Sequence, residues 1–142
     1  MQALAPSAEA TILIADDMAG WRVRVREILH GLPECQIVGE ACDGLQAVQR
    51  VAELKPDLVL LDIGMPVLNG LRAASQIQRV SPHSKIVFVT QEDDADIQRA
   101  AIDTGALGYI LKSNAASELL PTIIDTLRNA HTVRQADALL ES

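Results

Sequence analysis

Five short apolar runs, each followed by apolar residues at helical spacing, restrict the fold of this chain more than any other feature. The runs are Thr11-Ile12-Leu13-Ile14-Ala15, Gln36-Ile37-Val38-Gly39-Glu40-Ala41, Asp57-Leu58-Val59-Leu60-Leu61, Lys85-Ile86-Val87-Phe88-Val89-Thr90 and Gly108-Tyr109-Ile110-Leu111-Lys112. The third is unbroken in its apolarity and too short to span a membrane. It fits a strand buried on both faces, as in a parallel sheet. The second reads as a strand nearer an edge.

Between the runs the apolar period changes to that of a helix. Trp21, Val25, Ile28 and Leu29 share one face, with Arg22, Arg24, Arg26 and Glu27 on the other, until Gly31 and Pro33 stop the helix. Gly44 opens a second helix, with Leu45, Val48, Val51, Ala52 and Leu54 inward, that Lys55-Pro56 ends. Asn69 or a neighbour starts a third, through Leu71, Ala74, Ile77 and Val80, that Ser81-Pro82 breaks. Glu92-Asp93-Asp94 precedes a fourth, through Ile97, Ala100, Ala101 and Ile102, closed by Gly105; acidic residues suit a helix N-terminus. Leu119, Leu120, Ile123, Ile124 and Leu127 mark a fifth. Strand-helix alternation of this kind predicts an α/β fold: one doubly wound, five-stranded parallel sheet with five helices on its two faces.

At 142 residues the chain suits one domain, and a 49% apolar composition makes it globular rather than disordered. Trp21, Phe88 and Tyr109 are its only aromatics, so the core is built from Val, Ile, Leu and Ala. A net charge of -7 argues against contact with nucleic acid by this chain itself and suits a site that gathers carboxylates around a cation. Cys35 and Cys42 lack metal-ligand spacing and are expected as reduced, mostly buried thiols. Residues Met1 to Ala10 carry neither a basic segment nor a long apolar core, which reads as a flexible leader on a cytoplasmic protein with no membrane segment. The expected folded unit is 11–129. Residues 130–142 read as a tail, a helical extension or the start of a linker.

The strand ends carry the chemistry. Asp16 and Asp17 follow the first strand, Asp62 the third, Thr90 ends the fourth and Lys112 the fifth. In a parallel sheet these ends share one edge, where open α/β sheets place their sites. Asp62 is followed by Gly64, Pro66 and Gly70, which turn the chain sharply. Each residue has an ordinary alternative: Asp16-Asp17 as a helix cap, Asp62 as a loop cap, Thr90 as a plain strand residue, Lys112 as a solvated charge. All five together are a different matter. Clustered carboxylates raise one another's pKa, a hard divalent cation relieves this, and oxygen-only ligands favour Mg2+. A lysine and a hydroxyl beside that cation complete a phosphoryl pocket, with Asp62 as the nucleophile.

From about Ala10 to Asn129 the chain resembles the CheY-like receiver domain of two-component response regulators. The motifs that carry the resemblance are Ile12-Leu13-Ile14-Ala15-Asp16-Asp17, Leu58-Val59-Leu60-Leu61-Asp62, Met65-Pro66-Val67-Leu68-Asn69-Gly70, Val89-Thr90 and Gly108-Tyr109-Ile110-Leu111-Lys112. Val38-Gly39-Glu40-Ala41 and Gly108 to Ser113 look most like the subfamily with a C-terminal LuxR/NarL-type helix-turn-helix output domain. The resemblance implies a flavodoxin-like sheet of order 2-1-3-4-5. It implies that Asp62 accepts phosphate from a histidine kinase or phosphotransfer protein. Asp16, Asp17, Asp62 and the Gly64 backbone carbonyl would bind Mg2+, with Mn2+ as an alternative ion, Asp16 mainly through water. Thr90 and Lys112 would bind phosphoryl oxygens, and Tyr109 would be an aromatic switch that turns inward when Thr90 moves. The fourth helix, fifth strand and last helix would report the change, for example by forming a homodimer, and the output would be transcription through a DNA-binding domain outside this chain. The protein would act on no external substrate. A stand-alone receiver or a phosphate-independent interaction scaffold is the alternative. A small-molecule aspartyl-phosphate phosphatase is disfavoured, because such enzymes generally show a second Asp where this chain has Gly64.

Two residues depart from the family pattern. Gln91 stands after Thr90 where Ala, Gly or Ser is usual, and it is expected to narrow access to Asp62. Pro121 lies inside the last helix, which is expected either to start late, near Ser117, or to bend.

Overall fold

The computed structural model describes residues 9–141, and side chains from residue 9 to 128. The expected leader falls almost wholly outside the described residues, and so does Ser142. Ala10 is a correction: it begins the first strand, where its N–H donates to the Glu34 carbonyl at 3.1 Å.

The chain alternates strand and helix throughout: β1 (Ala10–Ala15), α1 (Ala19–Leu29), β2 (Cys35–Ala41), α2 (Gly44–Leu54), β3 (Leu58–Leu61), α3 (Gly70–Val80), β4 (Lys85–Thr90), α4 (Ala95–Asp103), β5 (Gly108–Leu111) and α5 (Ala115–Glu141). The five strands form one parallel sheet in the order β2-β1-β3-β4-β5. Alternate side chains along each strand build separate cores. Leu13, Val59, Leu61, Ile86 and Phe88 pack beneath α2, α3 and α4. Ile12, Ile14, Leu58, Leu60, Val87 and Val89 pack beneath α1 and α5, through Val25, Leu29, Leu119 and Ile123. Each central strand is therefore apolar on both faces, which explains its unbroken hydrophobicity.

Helix starts follow local chemistry. Asp43, Asn69 and Asp94 each accept backbone N–H bonds from the first turns of α2, α3 and α4. Lys55 takes a left-handed conformation (φ 48°) to end α2, and Gly105 (φ 96°) lies just beyond α4. Asp57 lies outside β3: its carboxylate accepts from the Thr11 N–H and hydroxyl, so it staples the sheet's lower edge instead of extending the strand. α5 starts at Ala115, after a 3-10 turn at Lys112–Asn114, and runs through Pro121, so it does not start late. It remains helical to Glu141, and no break in secondary structure marks the expected boundary at Asn129.

Edge strand β2 carries a bulge. Ile12 pairs with Ile37 but Leu13 pairs with Gly39, leaving Val38 over. The extra residue reverses the alternation, so Cys35 and Ile37 face the α1 side and Ala41 the opposite core. Glu40 is thereby turned toward α1, where it meets Arg22 and Arg26.

Cys35 and Cys42 are both free thiols, as expected, but Cys42 is exposed rather than buried. They bracket an extended strand about 20 Å long, far beyond disulfide reach. Burial, with the charges of Glu34 and Asp57, raises the Cys35 pKa above its ordinary value.

Val67 is the one β-branched residue with positive φ (69°) among the described residues, and it is 76% exposed. Its side chain gains little burial while its backbone sits where branched residues are disfavoured. Val67→Asn is expected to stabilise the protein by about 1 kcal/mol. Thermal unfolding checks this, and an unchanged or lower Tm would contradict it.

Candidate functional site

The C-terminal strand edge holds a pocket of about 200 Å³ lined by Asp17, Met18, Asp62, Gly64, Thr90, Gln91, Glu92 and Lys112. Asp16 lies against it and is buried, as are Asp62 and Thr90. Carboxylate oxygens of Asp16, Asp17 and Asp62 all lie within 4.8 Å of one another. All five strand-end residues expected from the sequence are thus brought together.

β3 ends at Leu61, and the Asp62 N–H donates to Ala15 O at 3.0 Å, which keeps Asp62 in register with the end of β1. The Ile63 N–H donates to Asp62 Oδ1 at 2.7 Å and fixes the carboxylate. The following turn folds back so tightly that the Gly70 N–H donates to Ile63 O at 2.8 Å. A Cβ at Gly70 would lie 1.9 Å from Asp62 O, so only glycine fits.

Lys112 follows β5. Its Nζ lies 2.7 Å from Asp16 Oδ2 and 3.4 Å from Asp62 Oδ2. The first contact is a buried ion pair. Asp16 Oδ2 is buried, with the Lys112 ammonium as its ion-pair partner. Burial raises the Asp16 pKa, and the charge of Asp62 adds to this, while Lys112 and the Met18 N–H oppose it. Three carboxylates against one ammonium leave a negative excess. That excess and the oxygen-only donor set fit a hard divalent cation.

The Asp16-Asp17 pair does not cap α1. Met18 is the N-cap and makes no side-chain cap bond, while Asp16 Oδ1 accepts from the Met18 N–H at 2.9 Å. Two residues of α1 reach the site that sequence reasoning put to other uses. Arg22, placed on the solvent face, is largely buried: its Nη1 donates to Asp16 O at 2.7 Å and its Nε to Glu40 at 2.7 Å. Burial works to raise the Glu40 pKa, but hydrogen bonds from Arg26 and Arg22 outweigh it and hold the carboxyl below its ordinary value. A signal existed in the sequence, since Arg22 stands three residues before buried Val25 and seven before buried Leu29. The second is Trp21, whose ring centroid lies 5.1 Å from Lys112 Nζ.

Thr90 is linked to Tyr109 through one residue. The Glu92 N–H donates to Thr90 Oγ1 at 3.3 Å, and the Tyr109 hydroxyl donates to Glu92 O at 2.6 Å. The Tyr109 ring lies 6.4 Å from Phe88. Partial burial raises the Tyr109 pKa, and the carboxylates Glu92, Asp93, Asp62 and Asp94 add to it. Gln91 is exposed at the pocket rim, as its place in the sequence suggested.

Residues 12–124 match the response regulator receiver domain family, and the chain belongs to that family. It is 40% identical over 122 residues to the oxygen regulatory protein NreC of Staphylococcus aureus, an alignment covering 85% of this chain and 56% of that protein. It is 35% identical over 124 residues to protein-glutamate methylesterase/protein-glutamine glutaminase 1 of Methanosarcina acetivorans, covering 84% of this chain and 36% of that protein. Among solved structures it resembles a LuxR-family two-component response regulator from Aurantimonas, with a TM-score of 0.81 and 28% identity over 85% of this chain and 86% of that one. The chain spans between about a third and just over half of the length of these curated relatives. The strand order seen here agrees with the CheY-like fold inferred from the sequence. No helix among the described residues is long and apolar enough to cross a membrane.

Proposed function

We propose that this receiver domain is a phosphorylation-controlled switch in which Asp62 accepts a phosphoryl group from a histidine kinase or phosphotransfer protein. The observation that carries the reading is the convergence of Asp62, Asp16, Asp17, Thr90 and Lys112 on one pocket. A carboxylate oxygen of Asp62 attacks phosphorus, the bond to the donor's leaving group breaks, and an acyl phosphate forms on Asp62. The Lys112 ammonium and the Thr90 hydroxyl bind the phosphoryl oxygens. Asp16, Asp17, Asp62 and the Gly64 carbonyl would hold Mg2+, or Mn2+ in its place, and the ion would neutralise the carboxylates and draw charge from the transferred group. No external substrate is turned over: the chemistry is gain of the phosphoryl group and its hydrolysis.

The switch works through the Thr90–Glu92–Tyr109 relay. When the Thr90 hydroxyl turns to the phosphoryl group, Glu92 N loses its acceptor, the loop before α4 shifts, and the Tyr109 hydroxyl is released to move inward. The α4–β5–α5 face then reports the state to a partner or a second copy. The signalling unit is residues 11–129, and residues 130–142 serve as a tail or the start of a linker. Resemblance to LuxR-type regulators supports a cytoplasmic transcriptional role, exercised through a DNA-binding domain outside these residues.

Tryptophan emission separates the switch from a phosphate-independent scaffold. Trp21 is the sole tryptophan and its ring faces Lys112, so an ion or beryllofluoride arriving beside Lys112 changes its surroundings. Mg2+ and then beryllofluoride are expected to change the emission in two steps. A flat response to both would favour the scaffold.

Gln91 at the rim is expected to slow small donors. Gln91→Ala should raise the rate of phosphorylation by acetyl phosphate roughly three- to tenfold, a barrier change of about 1 kcal/mol. An unchanged rate would sink the gating role.

A further inference from the structure

We infer that Trp21 is a positioning residue for Lys112, holding the ammonium against its indole face in the geometry that meets the phosphoryl group. The inference rests on the reading of Lys112 as a phosphoryl-binding group. Lys112 has a flexible four-carbon stem, and nothing in that stem fixes where its charge points. Three neighbours do so in this structure: Asp16 at 2.7 Å, Asp62 at 3.4 Å and the Trp21 ring at 5.1 Å from centroid. The Lys112 side chain is only 8% exposed, so the cation is largely desolvated and an indole face attracts it more than it would in water.

The neighbours differ in what the reaction does to them. Phosphorylation turns the free carboxylate of Asp62 into an acyl phosphate, and the Asp16 charge is shared with whatever cation the acidic cluster gathers. The indole face keeps the same quadrupole throughout. It is also rigidly placed: Trp21 sits in the first turn of α1 and packs against the core formed with α5. Arg22, one residue on, bonds to Asp16 O, so the same turn fixes both the aromatic face and the backbone of the acidic pair. An aliphatic residue at position 21 would fill the space without attracting the charge.

The experiment is a double-mutant cycle on acetyl-phosphate labelling at saturating Mg2+, monitored by intact mass in single turnover. Trp21→Leu is expected to slow labelling roughly three- to tenfold, and Trp21→Phe, which keeps an aromatic face, by roughly twofold or less. In a Lys112→Ala background Trp21→Leu is expected to change nothing further. Trp21→Met, an unbranched filler, replaces Leu should that variant fold poorly. Equal slowing by Trp21→Leu in both backgrounds, or loss with Phe as large as with Leu, would overturn the positioning role and leave Lys112 in place. A Lys112→Ala protein that labels at the wild-type rate would instead overturn the reading of Lys112 itself.

Discussion

Asp62→Asn is expected to abolish phosphoryl uptake, with labelling by acetyl phosphate falling at least a thousandfold, to background. The amide is nearly the shape of the carboxylate, and its oxygen can still accept the Ile63 N–H. The fold should therefore survive while the nucleophile is lost. One carboxylate fewer also weakens the divalent-ion cluster, since Asp16 and Asp17 alone must then hold the ion. The measurement is intact mass after acetyl phosphate, beside thermal unfolding of both proteins. A variant that still gains a phosphoryl group in Mg2+ would mean that another residue is the acceptor.

Gly70→Ala is expected to damage both stability and the site, by about 3 kcal/mol or more and a fall in Tm of roughly 10 °C or more. The added methyl would sit 1.9 Å from Asp62 O and 2.7 Å from Ile63 Cα, and backbone atoms cannot step aside as a side chain could. Relief requires the turn after β3 to open. That breaks the Gly70 N–H bond to Ile63 O and moves Asp62 relative to Asp16 and Lys112. Mg2+ affinity should drop more than tenfold in the folded fraction. Gly64→Ala is the matched control, because a Cβ there meets nothing within 4 Å, and its stability should change by no more than about 0.5 kcal/mol. Similar behaviour of the two variants would show that the close approach at Gly70 does not govern the geometry of Asp62.

The strand ends were legible in the sequence because two periodicities coincide there. Apolar runs of strand length stop on polar residues, and a parallel sheet sends all such stops to one edge. That pattern places Asp16, Asp17, Asp62, Thr90 and Lys112 together without any distance being known. Asn69 as the start of α3 and Lys55-Pro56 as the end of α2 come from equally local chemistry. What escaped is non-local. The bulge at Val38 leaves no mark in β2 beyond Gly39, yet it turns Glu40 to the α1 side. Arg22 then looks like one of three solvated arginines until Glu40 and Asp16 O are seen to receive it. Trp21 reads as a core residue, correctly, but its face toward Lys112 depends on where the long Lys112 side chain, just beyond β5, carries its ammonium. Glu92 escaped for another reason: its backbone, not its side chain, joins Thr90 to Tyr109.

The most direct test of Asp62 as the phosphoryl acceptor is chemical mapping of the modified residue. Protein labelled by acetyl phosphate in Mg2+ is reduced with borohydride, which converts an acyl phosphate on aspartate to homoserine, and the peptides are sequenced by mass spectrometry. The expected result is homoserine at position 62 and nowhere else, absent when Mg2+ is chelated. Homoserine at another aspartate, or a borohydride-resistant phosphoester on a serine or threonine, would contradict it.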